Sequence, residues 1–156
     1  MATPQLPLPS GFSSSTTARE AIAGHDLHGK TMIVTGGYSG LGLEATRAFV
    51  EAGAHVIVPA RTRAKAEANL TGLPVELEVL DLIDPASIEA FANRFVASGR
   101  PLHALINSAG IMAAPLERDA RGFESQFATN HLGHFELTLR LWPTLLAAQG
   151  ARVVSV

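Results

Sequence analysis

The sequence contains no cysteine. That absence removes disulfides, thiolate metal sites and thiol nucleophiles together, and it predicts a chain suited to a reducing cytoplasm. Charge is also sparse: 12 basic against 14 acidic side chains in 156 residues leave a net of -2. Nothing in that balance points to nucleic acid or to an anionic membrane surface as a partner. No apolar run approaches the roughly 20 residues of a membrane span, and the first residues lack the basic-then-apolar order of a secretory leader. Tyrosine is reduced to a single residue, Tyr38, which confines phenol chemistry to one position.

What the chain does have is glycine, in one telling place. Thr31 to Thr35 reads Thr-Met-Ile-Val-Thr, and Gly36, Gly37, Gly40 and Gly42 follow within the next seven positions. An apolar run broken at once by glycines is a buried strand ending in a turn that opens a helix. Glycine lets backbone N–H groups approach an anion closely. The following helix, expected over Leu41–Ala52, directs its unpaired amides and partial positive charge to the same spot. The spacing Thr35-Gly36-x-x-x-Gly40-x-Gly42 differs from the G-x-G-x-x-G dinucleotide fingerprint.

The rest of the chain falls into two parts: residues 1–29, a tail with a short helix, and residues 30–156, an α/β nucleotide-binding domain. Met1 to Thr16 is rich in Pro, Ser and Thr and reads as extended surface chain. Thr17 and Glu20 fit a capping box, with Gly24 as a stop. From Lys30 onward strands are expected near Thr31–Thr35, His55–Pro59, Val75–Leu80, Ala104–Asn107 and Arg152–Val156. Helices are expected near Leu41–Ala52, Arg63–Leu70, Ala86–Ala97 and Gly122–Ala148, with Asp84-Pro85 starting the third and Pro143 bending the last or splitting off its end. Strict alternation with right-handed crossovers predicts a Rossmann-type doubly wound parallel sheet of order 3-2-1-4-5, its ligand at the switch point beside the glycine loop.

Several side chains then fall at strand ends. Position 60, about 20 residues past the loop, carries Ala60 where an NAD-specific fold places an acid, and Arg61 follows. An acid would repel a 2′-phosphate, whereas a guanidinium holds one, so NADP is favoured over NAD. Arg63 and Lys65 add positive potential, and Ser39 can donate a further hydrogen bond to that phosphate. Asp81, followed by Leu82, can accept the adenine amino proton or cap a turn. Asn107-Ser108-Ala109-Gly110 is small enough for backbone to lie against a flat cofactor, and Asn107 can tie neighbouring strand ends together. His131 and His134, three apart, would face one side of a helix, but zinc needs a third ligand that the sequence does not supply, which leaves them packing or surface roles and no metal site.

Taken together, Thr35-Gly36-x-x-x-Gly40-x-Gly42, Asp81-Leu82, Asn107-x-Ala109-Gly110 and Asn130-His131-Leu132-Gly133-His134-Phe135 resemble, in order and spacing, the short-chain dehydrogenase/reductase family over Lys30–Val156. The Asn130–Phe135 wording is most similar to the branch containing retinol dehydrogenases and the WW-domain oxidoreductase. The resemblance implies an NADP-dependent oxidoreductase acting on an alcohol/carbonyl pair. It also implies a cofactor site of Gly36, Ser39, Gly40, Leu41, Gly42, Arg61, Asp81, Leu82, Asn107, Ala109 and Gly110, with Asn130 as the asparagine that holds a water in the proton relay.

The family's Tyr-x-x-x-Lys pair has no counterpart: Tyr38 lies in the glycine loop and Gly42 stands four residues on. The family's serine is expected one or two residues past Val156, with Ser155 in the strand position before it. The chain is therefore expected to be the cofactor-binding portion of such an enzyme, inactive alone. Its exposed edge at Arg152–Val156 would favour aggregation or pairing with a second copy or a complementing C-terminal half. The alternative is a non-enzymatic NADP-binding or sensor module.

Overall fold

The computed structural model describes residues 10–156; the first nine residues of the expected surface tail lie outside the described residues. Residues 10–17 form turns, with the Ser13 amide donating to Thr16 Oγ1 at 2.9 Å. Helix α1 (Ala18–Ile22) opens with the capping box: Glu20 N–H donates to Thr17 Oγ1 at 3.2 Å and Thr17 N–H to Glu20 Oε2 at 2.7 Å.

Five strands, β1 (Thr31–Thr35), β2 (His55–Ala60), β3 (Glu76–Val79), β4 (Ala104–Asn107) and β5 (Arg152–Ser155), pair in parallel in the order β3-β2-β1-β4-β5. Alternate residues divide between two cores. Ile33, Ile57 and Leu105 face α4 (Pro85–Ala97) and α6 (His134–Ala147), where Phe91, Phe95, Leu137, Leu141 and Leu145 complete the packing. Met32, Val34, Val56, Val58 and Ile106 face the other way, beside α2 (Gly40–Glu51) and α3 (Arg63–Asn69). Burial on both faces explains why β1 and β4 are apolar at nearly every position rather than at every second one.

Asp84 caps α4 by accepting from Ala86 N–H at 3.0 Å, with Pro85 at the first helical position. At the opposite end of the sheet, Arg100 grips Glu76 with two bonds of 2.7 and 3.0 Å, and His55 Nε2 adds a third contact at 2.8 Å. The guanidinium holds the Glu76 carboxyl down to about 2.

Three expectations need correction. The last helix does not run from Gly122. Gly122 has a positive φ of 88°, and helix starts only at α5 (Ser125–Phe127), whose N-cap Glu124 accepts from Gln126 and Phe127 N–H at 2.8 Å each. A π-helical turn, Ala128–Gly133, then joins α5 to α6. Of the two effects expected of Pro143, the split does not occur: α6 continues through it to Ala147. His131 and His134 do not share a face: His131 is exposed and stacks on Phe127 with ring centroids 5.2 Å apart, whereas His134 is buried. The π turn between them breaks the spacing a regular helix would give. Among the described residues no helix is long and apolar enough to cross a membrane.

The double core makes a sharp prediction. Phe91, 1% exposed, should lose about 3–5 kcal/mol of stability on substitution by alanine, whereas Phe135, 59% exposed, should change by no more than about 0.5 kcal/mol. Urea unfolding of both variants checks the contrast, and similar losses would contradict the placement.

Candidate functional site

At the C-terminal end of β1 the chain turns at Gly36 into α2. A Cβ on Gly36 would lie 2.9 Å from the Ala109 Cα, and φ there is +67°. In the first turn of α2, a Cβ on Gly42 would lie 2.5 Å from the Gly36 carbonyl oxygen. These two contacts fold the loop flat against both its own helix and the end of β4, and each requires a residue with no side chain. Ser39 sits at the N-cap of α2 in extended backbone, and its hydroxyl caps none of the helix amides. The first-turn N–H groups are therefore left to an outside acceptor.

The loop forms one wall of an open cleft of about 380 Å3 across the sheet's C-terminal edge. The cleft brings together Gly36, Ser39, Gly40, Leu41, Gly42, Arg61, Asp81, Leu82, Ala109 and Gly110, along with Thr35, Tyr38, Ser108, Ile111 and Thr129. It lies where β1 leads one way to β2 and the other way to β4, the switch point of a doubly wound sheet. Arg61 is exposed on its wall next to buried Ala60. Arg63 points elsewhere, donating to Glu67 Oε1 at 2.7 Å and to the Leu77 carbonyl at 3.2 Å. Asp81 caps its turn, Oδ1 accepting from Ile83 N–H at 3.2 Å, and still borders the cleft.

Two expected residues are not part of the cleft's lining. Asn107 is buried; its Nδ2 donates to Thr138 Oγ1 on α6 at 3.4 Å, so it ties β4 to a helix and not to a neighbouring strand end. Asn130 lies in the π turn, where its amide copies a backbone partner for Ile111, accepting from Ile111 N–H at 2.9 Å and donating to its carbonyl at 2.8 Å. π turns recur at functional sites because they redirect side chains out of helical register.

Reasoning from sequence missed two further groups. Thr35 Oγ1 accepts from the Ser108 and Ala109 N–H groups, both at 3.0 Å. It also meets His134 Nε2 at 2.8 Å, while His134 Nδ1 lies 2.8 Å from the Asn130 carbonyl oxygen. Burial pushes the His134 imidazolium pKa below its usual range, with the Asn130 carbonyl partly opposing the shift. The only signal in the sequence was a threonine ending the first strand and a histidine four residues past the asparagine, and neither reveals by itself that the two side chains meet.

A family model described as short chain dehydrogenase matches residues 30–156. The chain belongs to the short-chain dehydrogenase family. It is 43% identical over 136 residues to the Brassica napus short-chain dehydrogenase TIC 32 B, chloroplastic, covering 83% of this chain and 42% of that protein. It is 38% identical over 152 residues to the human WW domain-containing oxidoreductase, covering 93% of this chain and 37% of that protein. Among solved structures, a Pseudomonas aeruginosa RhlG/NADP active-site complex superposes with a TM-score of 0.71 at 26% identity, covering 83% of this chain and 55% of that one. The chain thus spans about two-fifths of the length of the curated relatives it matches. The fold and the motif order agree with this membership of the short-chain dehydrogenases.

The buried imidazole sets a pH dependence. A folded-state pKa below the unfolded value of 6.5 means that the unfolded chain binds the extra proton first. Stability from this group is complete above that value and is lost as pH falls through the lower folded-state one. Urea unfolding between pH 7 and 5 should therefore show a smaller loss of stability in His134→Gln, which does not titrate, than in the wild type. Equal losses would contradict the assignment.

Proposed function

We propose that the cleft binds NADP(H) for a short-chain dehydrogenase that interconverts an alcohol and a carbonyl compound. The observation that carries the reading is the glycine cradle. Gly36 and Gly42 leave room only for main chain, and the first-turn amides of α2 face the opening. That donor set suits a pyrophosphate, so the residues present fit the cofactor.

In this reading the amides of Gly40, Leu41 and Gly42 bind the pyrophosphate, and Arg61 with Ser39 holds the ribose 2′-phosphate. Ala60, standing where an acid would repel that phosphate, supports NADP over NAD. The similar RhlG structure is a complex with NADP, which agrees with the same choice. Asp81 accepts from the adenine amino group, and Leu82 closes that side. Ala109 and Gly110 give the nicotinamide end a surface without bulk. When bound, the cofactor supplies or accepts a hydride at its nicotinamide ring. Asn130 belongs to the proton relay of the complete enzyme, next to the strip that ends at Ile111.

The family's Tyr-x-x-x-Lys pair has no match within these 156 residues, so proton transfer to substrate and the substrate pocket belong to the whole protein. A second copy or a complementing C-terminal half is the partner this reading implies, and the cytoplasm is its compartment.

Replacing Arg61 by Asp should cost NADPH binding about 1.5–3 kcal/mol, roughly a 10- to 100-fold rise in Kd by calorimetry, and leave NADH within about twofold. Equal losses for both cofactors would contradict the 2′-phosphate role. The purified chain mixed with NADPH and simple ketones or aldehydes should show no decay of the reduced-cofactor absorbance band. Clear turnover would contradict the division of labour between this cofactor-binding portion and the rest of the enzyme.

A further inference from the structure

His134 is 6% exposed and touches neither the cleft nor any charged partner in its hydrogen bonds. Its two ring nitrogens nevertheless fix the state of the atoms around it. The Asn130 carbonyl can only accept, so Nδ1, 2.8 Å away, carries the hydrogen. A neutral ring then leaves Nε2 bare, and Thr35 Oγ1, 2.8 Å from it, must donate. The competing acceptor for that hydroxyl, the Ile106 carbonyl, is farther off at 3.3 Å. With its hydrogen committed to His134, the Thr35 oxygen has two lone pairs left, and the Ser108 and Ala109 N–H groups arrive at 3.0 Å each. Every donor and acceptor is matched once.

The consequence lies in what the two neighbours hold. Thr35 fixes the amides of residues 108 and 109, and Asn130 fixes both main-chain groups of Ile111. Ser108, Ala109, Gly110 and Ile111 together form one continuous border of the cleft. His134 is the joint between those two clamps. A ring turned to the other tautomer would aim an N–H at an oxygen already full and a bare nitrogen at a carbonyl.

We propose that His134 is a positioning residue: as the neutral, Nδ1-protonated imidazole it couples Thr35 to Asn130 and so holds the 108–111 strip at the spacing that sets cofactor affinity. This rests on the reading that the cleft takes NADP(H). No contact between His134 and the cofactor is involved.

Three measurements on the intact chain test it. Nitrogen-15 spectra of the histidine ring should show Nδ1 protonated and Nε2 bare; the reverse tautomer overturns the proposal. Calorimetric titration with NADPH should give a Kd about tenfold higher for His134→Leu and for Thr35→Val. His134→Asn and His134→Gln, each able to restore one of the two bonds, should fall between those variants and the wild type. A purely structural role would lower the melting temperature of these variants and leave the Kd of the folded protein unchanged, which overturns the proposal. A wild type that binds no NADPH refutes the cofactor reading instead. The tautomer then decides the positioning role together with hydrogen exchange at Ser108 and Ala109, which should be at least tenfold faster in His134→Leu; unchanged exchange overturns it.

Discussion

Two stretches of bare main chain have to touch for this cleft to exist: the exit of β1 at Gly36 and the exit of β4 at Ala109. Their approach is closer than a side chain permits, since a Cβ on Gly36 would stand 3.0 Å from the Ala109 nitrogen. The approach also removes two amides, those of residues 108 and 109, from any regular sheet partner. The Thr35 hydroxyl accepts both, and without it two half-buried donors would lose their protein partner. Steric permission from glycine and hydrogen-bond satisfaction from threonine are thus one constraint, and the neighbouring features follow from it. The helix α2 can start close against the sheet, its first amides open toward the cleft, and residues 108–110 that follow β4 are all small.

The crowding recurs on the far side. Gly133, closing the π turn, would place a Cβ 2.2 Å from the Leu82 carbonyl oxygen. The turn carrying Asn130 therefore lies directly against the chain leaving β3, which borders the same cleft at Asp81 and Leu82. The exits of β1, β3 and β4 come together there through backbone contacts, and the exit of β2 adds Arg61 to the same cleft.

Much of this was legible in the residues themselves. Apolar runs bounded by glycines and the Asp84-Pro85 start located the strands and α4, and right-handed crossover fixed the sheet order. Boundaries moved by a residue or two: β2 runs on through Ala60, and β3 is confined to Glu76–Val79. Those ends are set by pairing, which no single strand encodes. The glycines, Arg61 and Asp81 could be expected at one edge because each sits at a strand end, and the cleft brings them together. The partners of Asn107, Thr35 and His134 could not, because they lie 31 to 99 residues away in sequence. The π turn was hidden for a related reason: its residues carry an ordinary helical pattern, and only contact with Leu82 and Ile111 shows why the helix widens there.

The two ends of the sheet differ in how their polar groups are satisfied. One end is closed by hydrogen bonds among His55, Glu76 and Arg100; the other is open, lined with the glycine loop's amides and the exposed guanidinium of Arg61. Amide proton–nitrogen correlation spectra recorded during titration with NADPH test that asymmetry directly. Saturable shifts centred on Gly36, residues 39–42, Ala109 and Gly110, with the Glu76–Arg100 end unmoved, are the predicted result. No saturable shift in a folded sample, or shifts centred at the opposite end, would contradict it.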